Sequence, residues 1–481
     1  MNAKEWNEGL NNVDPDLVEE YVARKDEYSL KKKNKKPYWF AAVAAVLALA
    51  IGIGSLFGGN RPLLANQVAA AEYPKMAQKP NYDDYQSNYD AYSKAYEAWQ
   101  KGQRQQYNQP AGYADSLTDF FYASMTQFLQ GEGNPTYSPL NVYMAMAMLA
   151  ETTDGNSRQQ ILDLFGVDTI EQLRQQAGNV WNAHYSDDGE TTLLLANSLW
   201  LDDAYAFKKQ TAQLLADRYY ASSFHGDLGT EKLDKQLQAW LNENTGDLLK
   251  DQAQKVTLDP QTVFALASTV YFSAGWDAKF SEGNTKDAVF HAPNGDLTTP
   301  FMNKTITQYT YYWGENYGAI SLELTGNNRM WLILPDEGYT TTDILASEDY
   351  LRMTLDPGSW ENKRTYKINL SLPKFDVVNE MDLIEGMKAM GVTDIFDYTV
   401  SDFTPMTDTP MLYVSQISHA ARVTIDEKGC TAAAFTVINM EPGAMPPPEL
   451  DEIDFVLDRP FLFIVSSRDN LPLFAGVVNE P

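Results

Sequence analysis

Beyond about Gly112 the helix-like segments crowd into the first half of the chain and the strand-like runs into the second, which limits what the chain can fold into. Residues 116–129 place Phe120, Phe121, Met125 and Phe128 on one side of a helical period, predicting an amphipathic helix. Ser138 and Pro139 open a second helix, because proline in the first turn lacks only a donor that has no partner there. That helix runs through VYMAMAMLAE to Asp154 and Gly155; Ser157 then caps a third, which Gly166 ends. Strand-like runs follow at 193–201, 263–272, 330–334, 366–372, 421–425, 461–465 and 473–477. Both element types without βαβ alternation place the chain in the α+β class rather than among doubly wound sheets. With 481 residues, 44% of them hydrophobic, one large domain with appendages can bury its own core.

Residues 38–58 (YWFAAVAAVLALAIGIGSLFG) are uncharged and mostly apolar. In a helix such a run spans about 30 Å, the thickness of a bilayer's hydrocarbon core. Lys31, Lys32, Lys33, Lys35 and Lys36 precede it, and only Arg61 follows closely. The expectation is a single-pass anchor at the cell membrane, with residues 1–37 as a cytoplasmic leader and everything after residue 60 extracellular. A cleaved signal peptide, processed near Ala69, Ala70 and Ala71, is the alternative and leaves the body secreted; the long leader and the length of the run favour the anchor. Residues 59–112 then form a linker rich in Tyr, Gln and Asn. Its tyrosines at 82, 85, 89, 92 and 96 have helical spacing, but no aliphatic residues accompany them, so a polar spacer is the preferred reading.

The formal net charge is −28, and residues 1–37 balance eight basic against eight acidic residues, so the deficit lies in the body. Such a surface repels phosphate backbones and disfavours nucleic acid. The lone Cys430 excludes an internal disulfide and a cysteine metal cluster. His184, His225, His291 and His419 show no metal-ligand spacing, so neither metal nor cofactor is expected. No G-x-S-x-G motif or recognisable Cys–His pair points to an enzyme.

Several segments resemble signatures of one family, in order along the body. NPTYSPLNVYMAMAMLAETTDGNSRQQI (134–161), LQAWLNENT (237–245), VYFSAGWDAKF (270–280), INLSLPKFDV (368–377) and MGVTDIFD with SDFT (390–404) are similar to serpin motifs. VSQISHAARVTIDEKGCTAAAFT (414–436), DRPFLFIV (458–465) and LPLFAGVV (471–478) resemble the hinge and closing strands of the same family. The leader resembles those of membrane-anchored proteins of Gram-positive bacteria. The resemblance implies a serpin domain over 113–481, monomeric, with three β-sheets, eight or nine helices and an exposed reactive loop near the C-terminus. A target serine protease would cleave that loop, become acylated, and be trapped as the loop inserts into a sheet. A non-inhibitory serpin that binds or carries a ligand is the alternative.

The resemblance also assigns support positions. Asn134, Ser138 and Asn141 match a polar cluster beneath the parting strands, with His419 as its histidine and Ser268 where the family usually has Asn. Trp276 matches the aromatic residue where the loop first enters, and Glu427 and Lys374 a salt-bridged pair there.

A segment that passes from exposed to buried must alternate with period two. Cys430, Ala432, Ala434, Thr436, Ile438 and Met440 would face inward, small at the leading end and uncharged. Thr431, Ala433, Phe435, Val437, Asn439 and Glu441 would face outward, with Gly429 as pivot. The family usually has Thr or Ser at Cys430, Glu at Thr431 and a small residue at Phe435; the alternation tolerates all three. Counting along the loop puts the scissile bond at Gly443/Ala444, with Ala444/Met445 next. No Lys or Arg lies between Gly429 and Asp458, which disfavours trypsin-like targets and suits elastase-like or subtilisin-like ones.

Overall fold

The computed structural model describes residues 41–50, 66–430 apart from Lys75, Gln86, Ser87 and Glu190, and 450–481. Tyr89–Gln106 (α1) opens on Asn88, whose side chain accepts from the Ala91 amide. Thr118–Phe128 (α2) buries Phe120, Phe121, Met125 and Phe128, the stripe its sequence predicts. Ser138 caps Pro139–Thr152 (α3) by accepting from the Asn141 amide. Every residue of α3 is buried, as befits a helix apolar on all sides. Gly155–Leu164 (α4) begins earlier than expected: Ser157 lies inside it, and its hydroxyl takes the Asp402 amide instead of capping. Ile170–His184 (α5) starts in a capping box of Thr169 and Gln172. Lys209–Tyr219 (α6), Glu231–Asn244 (α7), Lys250–Ala253 (α8), Thr341–Leu345 (α9), Asp349–Leu355 (α10) and Ile384–Ala389 (α11) follow.

The strands are Ala41–Ala50 (β1), Gln67–Ala69 (β2), Thr136–Tyr137 (β3), Ser186–Asp187 (β4), Thr191–Asp202 (β5), Ala221–Gly226 (β6), Thr262–Gly275 (β7), Lys286–Ala292 (β8) and Gly295–Trp313 (β9). Tyr317–Leu324 (β10), Asn328–Pro335 (β11), Lys363–Pro373 (β12), Phe375–Asp382 (β13), Leu412–Ile425 (β14), Gly429–Cys430 (β15), Glu452–Val456 (β16), Phe461–Ser466 (β17) and Pro472–Val478 (β18) complete the set. One sheet runs β1-β14-β15-β7-β5-β6-β2, with β13 on β14 and β4 on β5. The other runs β16-β12-β9-β10-β11-β17-β18-β3, with β8 on β9. Hydrogen bonding joins two of the three expected sheets because β9 is long: it follows β12 from Phe301 and still reaches β10 at Tyr312 and Trp313. Helix α3 packs between β7 of the first sheet and β18 of the second, so its apolar surface is covered from both sides.

The apolar run departs from its expected form. Ala41–Ala50 is a strand, parallel to both β14 and β7, and Leu47 stands in register with His419 on one side and Ser268 on the other. Among the described residues no helix is long and apolar enough to cross a membrane. The placement as a cell-membrane protein is corrected accordingly. An unbroken apolar run carries no period, and its backbone groups can be satisfied in a sheet as well as in a helix. The leader and residues 51–65 lie outside the described residues. The segment after them is built rather than loose: β2 pairs with β6, and the tyrosines of α1 stack on one another, Tyr92 on Tyr96 with ring centroids 5.8 Å apart.

Candidate functional site

Where β14 ends at Ile425 the chain reverses through Asp426 and returns as β15. Cys430 registers with Ile425 of β14 and with Ala274 of β7, antiparallel to each. The turn is held by the Asp426 carboxylate, which accepts from the amides of Lys428 (2.8 Å) and Gly429 (3.2 Å), while the Asp426 amide donates to the Gly429 carbonyl (3.1 Å). A Cβ at Gly429 would lie 2.4 Å from the Ala274 carbonyl oxygen and 2.7 Å from the Gly275 Cα. Close approach to the β7 backbone therefore requires glycine here, as much as pivoting does. Gly429→Ala is expected to destabilise the chain by roughly 1–3 kcal/mol, read as a lowered thermal midpoint; an unchanged midpoint would mean that the turn yields freely.

The side chains expected beside this turn converge on it. Trp276 is buried, donates from Nε1 to the Asp426 carbonyl (2.7 Å), and meets Phe280 edge-on at 5.9 Å. Its amide donates to the Lys428 carbonyl (2.9 Å), and the Phe280 amide to the Glu427 carbonyl (3.0 Å). Glu427 accepts from Lys374 Nζ (3.0 Å) and from the Thr285 hydroxyl (2.7 Å). Burial alone would raise its pKa, but these two bonds outweigh it and hold the carboxyl below its ordinary value. Cys430 is fully buried, and loss of water pushes its thiol well above the ordinary range, so it sits there as a neutral small side chain. Sequence reasoning missed Asp426 and Thr285. Asp426 was legible in principle, as an Asx-type turn in DEKG; Thr285 carries no local signal.

Further down β7 and β14 a polar cluster crosses the apolar core. His419 Nε2 accepts from the Ser138 amide (3.1 Å), and Ser138 Oγ donates to the Leu473 carbonyl. Asn141 Nδ2 donates to Ser268 Oγ (3.0 Å), which joins α3 to β7. Within this cluster two buried atoms, His419 Nδ1 and Asn141 Oδ1, have no partner among the described residues. Burial lowers the histidine pKa to about 3, so the ring is neutral and its unpaired Nδ1 carries the hydrogen. Asn134 does not join this cluster. It donates to the Glu480 carbonyl (2.7 Å) and accepts from the Asn479 amide (2.8 Å), tying down the C-terminal tail instead. Its position just before β3, which pairs with β18, turns it toward that tail. Thr431, Ala432, Ala433, Ala434 and Thr436, and the loop residues Gly443, Ala444 and Met445, lie outside the described residues.

None of these groups forms a nucleophile with a base. Among the described residues no three of His, Cys, Asp and Glu come together as a metal site. The arrangement is a tight turn that enters between two strands, held by an aromatic ring and an ion pair, with a polar cluster further along the same two strands.

The comparisons agree with this geometry. The family described as serpin (serine protease inhibitor) matches residues 115–481. The chain is 29% identical to Serpin-ZX of Arabidopsis thaliana over 370 residues, covering 72% of this chain and 92% of that protein. It is 27% identical to the alpha-1-antitrypsin-like protein GS55-MS of Ictidomys tridecemlineatus over 391 residues, 79% of this chain and 91% of that protein. Among solved structures it is similar to Arabidopsis AtSerpin1 in its native stressed conformation (TM-score 0.66, 25% identity, 78% of this chain and 100% of that one). The native thermophilic serpin tengpin shares its fold (TM-score 0.68, 23% identity, 78% of this chain and 95% of that one). So does human thyroxine-binding globulin (TM-score 0.64, 20% identity, 77% and 98%). Matched from residue 115 to its last residue, with the hinge and strands arranged as above, the chain belongs to the serpin family of protease inhibitors.

Proposed function

We propose that the chain inhibits a serine protease by being cut once in its loop and drawing the cut loop, with the acylated enzyme, into the first sheet. The observation that carries this is the direction of Gly429 and Cys430, already paired antiparallel between β7 and β14. Continued along that lane, Ala432, Ala434, Thr436, Ile438 and Met440 would share the buried face of Cys430. Full burial of Ile438 and Met440 would contribute roughly 1.5–3 kcal/mol each. In this reading Trp276, the Glu427–Lys374 pair and the cluster of Ser138, Asn141, Ser268 and His419 support the strands where they part, and the cut falls at Gly443/Ala444 or Ala444/Met445. Small residues there suit the shallow pockets of elastase-like or subtilisin-like enzymes.

A second reading has an observation of its own. Ala41–Ala50 lies in the same lane, parallel to β7 and β14, so the loop can advance past Cys430 only if β1 leaves. A loop that is cut but stays out would make the chain a binding or carrier protein. The two readings separate when the full chain is mixed with pancreatic elastase or subtilisin. A complex that survives denaturing gels, with a C-terminal fragment starting at Ala444 or Met445 and a higher thermal midpoint for the cleaved chain, is the expected result. Clean cleavage with an unchanged midpoint would overturn the inhibitory reading and leave a substrate-like or binding serpin in its place.

A further inference from the structure

Residues 66–74 and 76–79 precede the span that matches the family, yet they are bonded to β6, Tyr220 and the β4–β5 hairpin of the body. We propose that residues 66–74 and 76–79 act as a built-in peptide ligand: the segment adds a strand to the outer edge of the first sheet and seats Tyr73 in an aromatic slot. The edge and slot would accept an extended peptide of this pattern whether or not it is joined to the chain. The inference stands apart from loop insertion and survives either outcome of that experiment.

The edge strand is β6. Gln67 and Ala69 register with Phe224 and Ser223, the His225 amide donates to the Asn66 carbonyl (3.0 Å), and Asn66 Nδ2 donates back to the His225 carbonyl (2.8 Å). Without β2 this row of β6 backbone groups would face solvent, a template for pairing with any extended chain. The slot follows four residues on. Tyr73 stacks against Trp181, Tyr185 and Tyr220 at centroid distances of 6.1, 5.7 and 6.0 Å, and its hydroxyl donates to the Tyr220 carbonyl (3.2 Å). The walls of the slot also stack on one another, Trp181 on Tyr185 at 4.5 Å and on Tyr220 at 3.5 Å.

Tyr220 supplies a separate argument. It ends α6 in the left-handed region (φ 51°), where a residue with a side chain costs about 1–2 kcal/mol and glycine is the easy choice. The strained position turns the Tyr220 ring onto Trp181, and a glycine there would leave the slot without that wall. Past Tyr73 the ligand grips the β4–β5 hairpin through backbone groups. The Asp187 amide donates to Met76 Sδ (2.9 Å), Gln78 Nε2 to the Asp187 carbonyl (2.8 Å), and the Lys79 amide to the Asp188 carbonyl (2.6 Å). The contacts thus combine main-chain bonds at Asn66 and Lys79, which any extended peptide can make, with the side chains of Asn66, Tyr73, Met76 and Gln78, which select among peptides.

The test uses the full chain and the His225 amide, whose acceptor is the Asn66 carbonyl. In Tyr73→Ala its hydrogen exchange should quicken about tenfold, as local opening of the strap becomes easier. Tyr73→Phe, which keeps the ring, should stay close to the parent. A synthetic peptide of residues 64–80, added in excess to Tyr73→Ala, should restore the protection. Unchanged exchange in Tyr73→Ala overturns the anchor, and lost protection that the peptide fails to restore overturns the separable ligand. Should Tyr73→Ala fail to fold, Asn66→Ala, which removes only the side-chain bonds to the His225 carbonyl and to Gln236, should speed the same amide and respond to the peptide. No response there overturns the proposal equally.

Discussion

Arginine in place of Ala432 is expected, on the proposed insertion mechanism, to turn the chain from an inhibitor of a protease into its substrate. Cys430, two residues earlier, is fully buried between β7 and β14. A strand repeats its facing every second residue, so residue 432 follows Cys430 to the same side once it enters the lane. An unpaired guanidinium taken into that face costs several kcal/mol. In the proposed mechanism cleavage precedes insertion, so its rate should hardly change. The acyl-enzyme then partitions between insertion and hydrolysis, and each ~1.4 kcal/mol on the inserting step shifts the partition roughly tenfold. The measurable result is a rise of roughly tenfold or more in the moles of inhibitor consumed per mole of protease inactivated. Ala433→Arg, one residue on and outward-facing, should behave like the parent. Equal damage from both would sink the alternation, and no damage from either would mean that the loop does not enter the sheet.

The parts of this site that were legible in the sequence are those whose signal is local. The stripe of α2 predicted an amphipathic helix, and Phe120, Phe121, Met125 and Phe128 are buried; the Ser-Pro start of α3 is found where its residues put it. The alternation after Gly429 pointed inward for Cys430, where it is found. The Lys374–Glu427 pair and the His419 cluster came only through resemblance, because their partners are far apart along the chain. Asn134 shows the limit of that route: it occupies the matching place in sequence, but its amide is spent on the Asn479 and Glu480 backbone. The tyrosines of residues 59–112 misled for a different reason. Their rings pack on one another and on Trp99 of α1, Tyr92 on Tyr82, Tyr85 and Tyr96, and Tyr96 on Trp99, so the aliphatic partners that the spacing lacked are not needed. The apolar run failed where length was taken to decide between helix and strand, although a gap in a sheet can satisfy the same backbone.

Acid should loosen the first sheet through His419, and His419→Gln should remove most of that sensitivity. The ring's pKa in the folded chain is about 3, lowered by burial, against about 6.5 for an ordinary histidine. The unfolded chain therefore takes up a proton below pH 6.5 that the folded chain refuses until near pH 3. The stability this group contributes is complete above pH 6.5 and drains away as the pH falls toward 3, by up to about 1.4 kcal/mol per pH unit. The structural consequence is local. A proton on Nε2 would face the Ser138 amide that now donates to it at 3.1 Å, setting two donors against each other at the junction of β14 with α3. Glutamine can accept from the same amide and does not titrate, so its thermal midpoint between pH 7 and pH 4 should fall less steeply than the parent's. His184 is also buried with a lowered pKa and contributes acid sensitivity of the same sign, so the difference between the two curves, not either alone, reports on His419. Curves that stay parallel from pH 7 to pH 4 would show that the ring is protonated without cost, and that water reaches the cluster at the centre of the sheet.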